Sequence, residues 1–128
     1  MKNSTIRGLV IEAGKPPRTA TVKNDLKALQ EIVGGSIECV YPWADPVVVV
    51  CNEEGKNKGL PANRALTDRD GKVYDILIRT FLLLGQAEDD FGSLSEELMK
   101  KYSEKFQFPE GFIRDVQGRL AWLRVTHR

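Results

Sequence analysis

Val47-Val48-Val49-Val50-Cys51 is the stretch that decides the fold. It is a continuous apolar run, short enough to be a strand buried on both faces. Working outward, residues 36–41 form a strand before it, and Pro42 and Pro46 bracket the loop Trp43-Ala44-Asp45. Asn52-Glu53-Glu54-Gly55 follows as a turn, with Gly55 the natural residue for φ > 0. Residues 74–84 are the next long apolar run. Periodicity alone does not separate a buried strand from a buried helix there, but Thr80-Phe81 and the terminating Gly85 favour a single strand.

The flanks complete an α+β pattern. Residues 5–12 and 18–22 read as two strands of a hairpin around Gly14-Lys15-Pro16-Pro17. Leu26, Leu29, Ile32 and Val33 share one helical face, with Asn24 as N-cap and Gly34-Gly35 as the stop. Thr67-Asp68-Arg69-Asp70-Gly71 is a further turn, and residues 86–92 read as an acidic loop. A second helix carries Leu94, Leu98, Tyr102 and Phe106 at a spacing of four, with Ser93 and Glu96 in capping-box positions. Residues 119–126 suggest a last short strand. The expected fold is a small α+β domain over residues 1–128, with a mixed or antiparallel sheet and two main helices.

Composition bounds the function. The chain has 128 residues, 19 basic against 18 acidic, and a net charge of +1. That balance argues against a general nucleic-acid binder and against an acidic DNA mimic. One His and two Cys are too few for the usual four-ligand structural zinc site. No apolar run approaches the roughly 20 residues of a membrane helix, and no secretory signal is visible, so a cytoplasmic protein is expected. Cys39 and Cys51 sit in strand-like stretches and read as free thiols; they would pair only with Cα atoms about 4.4–6.8 Å apart.

No catalytic set stands out. The single histidine, His127, lies next to the last residue, a poor place for a general base. Walker A and GxGxxG patterns are absent, and Gly34-Gly35 follows a helix where a phosphate loop would open one. Glu88-Asp89-Asp90 is the densest acidic group, but consecutive loop residues diverge and read as a solvated turn. The most suggestive segment is Gly59-Leu60-Pro61-Ala62-Asn63-Arg64, flanked by Lys56 and Lys58. A guanidinium forks onto phosphate or carboxylate, and an amide donates and accepts on a base edge or ribose. The same residues also read as a structural crossover, with Asn63 capping a turn and Arg64 pairing with Asp68 or Asp70. Trp43 in its Pro-bracketed loop is either a stacking platform or a lid on the core.

Several blocks in fixed order carry a resemblance: Val10-Ile11-Glu12-Ala13-Gly14-Lys15-Pro16-Pro17, residues 26–38, Val50-Cys51-Asn52-Glu53-Glu54-Gly55-Lys56, residues 59–66, Tyr74-Asp75-Ile76, and Asp90-Phe91-Gly92-Ser93-Leu94. Over about residues 5–112 the chain resembles a family of small domains from phages, plasmids and integrated elements of Gram-positive bacteria, known only as a domain of unknown function. Arg79 stands where that pattern has Gly before Thr-Phe. The resemblance brings no catalytic residues; it implies an accessory role in a mobile element and points to the 52–55 and 59–64 blocks.

The resulting expectation is a non-enzymatic counter-defence protein that sequesters a small anionic, nucleotide-derived signal. Arg64, Asn63, Lys58, Lys56, Asn52 and Trp43 are the candidate ligand residues. No cofactor, no metal and no membrane partner are expected, and a homo-oligomer is possible if sites form between subunits. The alternatives are a protein-binding inhibitor of a host defence protein and a carboxylate- or metal-dependent nucleotide hydrolase.

Overall fold

A computed structural model describes residues 5–53 and 61–123. The elements are β1 (Thr5–Ile11), β2 (Arg18–Lys23), α1 (Leu26–Val33), β3 (Ile37–Val40), β4 (Val47–Asn52) and β5 (Ala62–Thr67). They continue through β6 (Val73–Ile78), β7 (Phe81–Ala87), β8 (Asp90–Gly92), α2 (Glu96–Lys105), β9 (Gly111–Arg114) and β10 (Leu120–Leu123). The main sheet runs in the order β2-β1-β7-β4-β3, with β8 paired to β7, and its pairings are antiparallel. Two hairpins, β5–β6 and β9–β10, form separate two-stranded sheets. This is the small α+β domain with two helices that the sequence predicts.

The apolar run of residues 47–51 is the centre of that sheet, and strand geometry divides it between two cores. Successive side chains point to opposite faces. Val47, Val49 and Cys51 therefore join Phe81 and Leu83 of β7 under α2, packed with Leu94, Met99, Tyr102 and Phe106 and with Leu66 and Leu77 of the β5–β6 hairpin. Val48 and Val50 join Leu82 and Leu84 on the other face, under Leu29 and Val33 of α1. The sheet is the middle layer of three. Cys39 and Cys51 fall on opposite faces by the same alternation, and both are free thiols.

The long run of residues 74–84 is two strands, β6 and β7, and not one. Arg79 interrupts it with φ 62°, in the left-handed region, and its N–H donates to the Pro61 carbonyl at 2.8 Å. The break lets the chain leave the β5–β6 hairpin and enter the main sheet.

Both helix starts differ by a short shift. Asp25, not Asn24, caps α1: its carboxylate accepts from Ala28 N. Asn24 turns inward and donates to the Asp90 carboxylate and the Phe91 carbonyl. Ser95 caps α2 by accepting from Leu98 N, while Ser93 Oγ accepts from Arg7 N and Glu96 pairs with Arg7. Gly34 closes α1 with φ 83°, as its position demands. Leu26, placed on the apolar face by spacing, is exposed, because the helix turns its first residue away from the sheet. Residues 86–92 are the end of β7, a tight turn and β8, and not an open loop.

Candidate functional site

Asn63 and Arg64 follow Ala62 in β5, so the segment singled out by sequence ends inside a strand. Both are interior: Asn63 is 1% exposed and Arg64 0%. Asn63 Nδ2 donates to the Ile11 carbonyl at 2.9 Å and to the Arg79 carbonyl at 2.7 Å. Arg64 Nη2 donates to the Lys15 carbonyl at 2.7 Å and the Phe106 carbonyl at 2.9 Å; Nη1 donates to Asn63 Oδ1 at 2.7 Å. The pair ties together the end of β1, the turn after it, the β6–β7 break and the C-terminus of α2. The Phe106 carbonyl is an orphan of the helix end, and the guanidinium satisfies it with a charge of the favourable sign.

Glu110 completes this cluster. It accepts from Ala65 N at 2.8 Å, and its other oxygen lies 4.0 Å from Arg64 Nε. Burial raises its pKa, against the pull of the Ala65 hydrogen bond and Arg64. Burial lowers the Arg64 pKa in turn, and Glu110 opposes that. Arg64 does not pair with Asp68 or Asp70. Asp68 instead accepts from Asp70 N and Lys72 N in its own turn.

Trp43 lies on the outside of the same core. Its ring centroid is 4.5 Å from Tyr102 and 5.9 Å from Phe106, so one face covers the α2 layer. Above it opens a cleft of about 350 Å³ lined by Pro42, Trp43, Asp45, Lys101, Tyr102 and Lys105. Lys105 Nζ stands 6.0 Å from the Trp43 ring, at cation–π range. Lys101 Nζ and the Tyr102 hydroxyl both donate to Asp45 Oδ2, at 2.6 and 2.8 Å. These donors hold the Asp45 pKa below the ordinary carboxylate range, and burial together with Asp45 raises that of Tyr102. Pro42 and Pro46 fix the loop, and Val47 N returns to the Asp45 carbonyl at 2.7 Å, so the carboxylate is held toward α2.

Four of the six sequence candidates lie among the described residues, and the structure divides them between two places. Trp43 and Arg64 meet through Phe106, whose ring touches Trp43 and whose carbonyl binds Arg64. Asn52 lies elsewhere, donating to the Val33 carbonyl at the end of α1. Lys56 and Lys58 lie outside the described residues, as do Glu54, Gly55 and His127. Among the described residues, no three His, Cys, Asp or Glu side chains gather in a way that would hold a metal ion. Lys101 and Lys105 are the cleft residues that sequence reasoning passed over. Their spacing of four puts them on one face of α2, but only the packed Trp43 loop makes that face a cleft.

Two of the further clefts among the described residues are larger. One of about 440 Å³ is lined by Cys39, Tyr41, Val48, Gln86, Asp89 and Phe91. The other, of about 380 Å³, lies between β6 and the β9–β10 hairpin.

Fold and cleft together define a small three-layer α+β domain with an aromatic- and lysine-lined depression over α2. Residues 6–107 match the family described as Domain of unknown function (DUF3846), and the chain belongs to that family. No curated protein and no solved structure matches it. No helix among the described residues is long and apolar enough to cross a membrane.

Proposed function

We propose that this domain is a non-enzymatic counter-defence protein of a phage or mobile element, which holds a small anionic, nucleotide-derived signal. The observation that carries the reading is the Trp43–Lys105–Lys101 arrangement, a flat aromatic face with two ammonium groups beside it in one open cleft. An aromatic face stacks on any base, and ammonium groups favour phosphate. The cleft volume of about 350 Å³ lies at the lower end for small-ligand sites. Sequestration needs affinity alone, so a site of this kind requires no general base. The reading moves the ligand contacts from Asn63 and Arg64, which face protein acceptors, to the outer surface of the same core.

Calorimetry of the purified protein against mono-, cyclic and oligonucleotides tests it. Heat of binding is expected, with the ligand recovered intact after denaturation. Absence of heat with every nucleotide overturns the reading, and recovery of a hydrolysed ligand replaces it with an enzyme.

A protein-binding inhibitor is the second reading. It is favoured by the groove between β6 and the β9–β10 hairpin, where Tyr74, Val73 and Leu120 lie beside Arg114 and Arg119, and where Val73 and Tyr74 are exposed. It predicts a stable complex with a host protein that survives Trp43→Ala.

A further inference from the structure

We infer that Asp45 is a built-in stand-in for the ligand's anionic group, and that the cleft selects a phosphate monoester on a planar ring because only a dianion displaces this carboxylate. The inference rests on the cleft reading above and names the ligand class and the selecting residue.

The cleft already holds an anion, and that anion belongs to the chain. Asp45 Oδ2 receives one ammonium and one phenol hydrogen bond, at 2.6 and 2.8 Å. These two donors, from successive residues of α2, form a small oxyanion seat beside the Trp43 ring, which packs 4.5 Å from the Tyr102 ring. The Tyr102 side chain is 1% exposed and set by the core, so its hydroxyl does not swing to seek the ligand. Lys101 and Asp45 both reach solvent, so the contact between them is exchangeable and weak in net terms.

An incoming anion therefore competes with a carboxylate for the same two donors. A phosphodiester carries one negative charge and replaces Asp45 with nothing gained in Coulomb energy. A phosphate monoester carries about −1.5 to −2 at pH 7 and three acceptor oxygens. It takes the Lys101 and Tyr102 donors and leaves an oxygen for Lys105, whose ammonium lies 5.7 Å from the Phe106 ring on the same side. The displaced Asp45 side chain, already partly exposed, turns toward water while the Pro-bracketed loop stays in place. Charge count at the cleft becomes the basis of discrimination, with the ring on Trp43 supplying affinity common to both classes.

The test is calorimetry with adenosine 5′-monophosphate and cyclic adenosine monophosphate on wild type, Asp45→Asn and Tyr102→Phe, each checked by thermal melting. Wild type is expected to prefer the monophosphate by about tenfold, and Asp45→Asn to gain about tenfold for both nucleotides, because the internal competitor is removed from each alike. Tyr102→Phe is expected to melt like wild type and lose about tenfold in monophosphate affinity. Binding of both nucleotides with no preference and no gain in Asp45→Asn overturns the exchange and leaves the cleft reading standing. Failure of all three proteins to bind either nucleotide removes both. Should Asp45→Asn melt early, Tyr102→Phe decides alone, and an unchanged monophosphate affinity overturns the inference.

Discussion

Arg64 and the pair Lys101–Lys105 sit on two sides of one aromatic wall and do opposite work. Phe106 belongs to both: its carbonyl binds Arg64 and its ring adjoins Trp43 and Lys105. On the inner side the cation is dry and surrounded by carbonyls, so it holds three chain segments in place. On the outer side the ammonium groups meet water and one carboxylate, so they remain open to exchange. Burial, more than residue type, decides whether a positive charge is a staple or a recognition element.

The comparison breaks most readily at Arg64. Arg64→Ala leaves the Phe106 and Lys15 carbonyls and Asn63 Oδ1 without their donor and opens a cavity. A loss of about 4 kcal/mol is expected by chemical denaturation, enough to unfold a marginal domain. A fold of wild-type stability with lost nucleotide binding would instead return Arg64 to the ligand site. Asn63→Ala removes two bonds to buried carbonyls and should cost about 2 kcal/mol, with nucleotide affinity per folded molecule unchanged.

Glu110 gives a pH arm. Its folded pKa is raised, so the folded state holds its proton more tightly than the unfolded one. Its contribution is fully present below the ordinary value of about 4.3 and is lost as pH rises through the folded pKa. Glu110→Gln should flatten the stability curve in that window; an unaltered curve would mean the carboxylate ionises freely. On the outer side, Lys105→Ala should shift stability by less than about 0.5 kcal/mol while weakening nucleotide binding severalfold. Equal damage to both would dissolve the distinction between the two faces.

Much of the scaffold was legible because its signals are local. Five apolar residues at 47–51 and the Gly34 stop each specify their element through neighbours in sequence. The break at Arg79 was not, since a charged residue at φ 62° carries no turn signature, and the run around it reads as continuous. Asn24 and Asp25 are adjacent good caps, and the tie is resolved by Asp90 and Phe91, which draw Asn24 inward. The burial of Arg64 depends on the Phe106 carbonyl and the Lys15 carbonyl, 42 and 49 residues away. No window on the sequence contains those partners. Trp43 was visible as an unusual aromatic between prolines, whereas its lysines come from a helix more than 50 positions on; Lys101 is 56 from Asp45.

The strand order also sets a timetable for synthesis. β1 emerges well before β7, yet its Leu9 pairs with Leu83 of β7, and Val48 of β4 pairs with Leu84. Until β7 leaves the ribosome, the β1–β2 hairpin, α1 and the β3–β4 pair have no central strand to join them. Pairings that distant close slowly and leave apolar edges uncovered meanwhile. A chain stalled before residue 81 should therefore be sticky and protease-sensitive, and one released after residue 106 should collapse onto both faces of the sheet together.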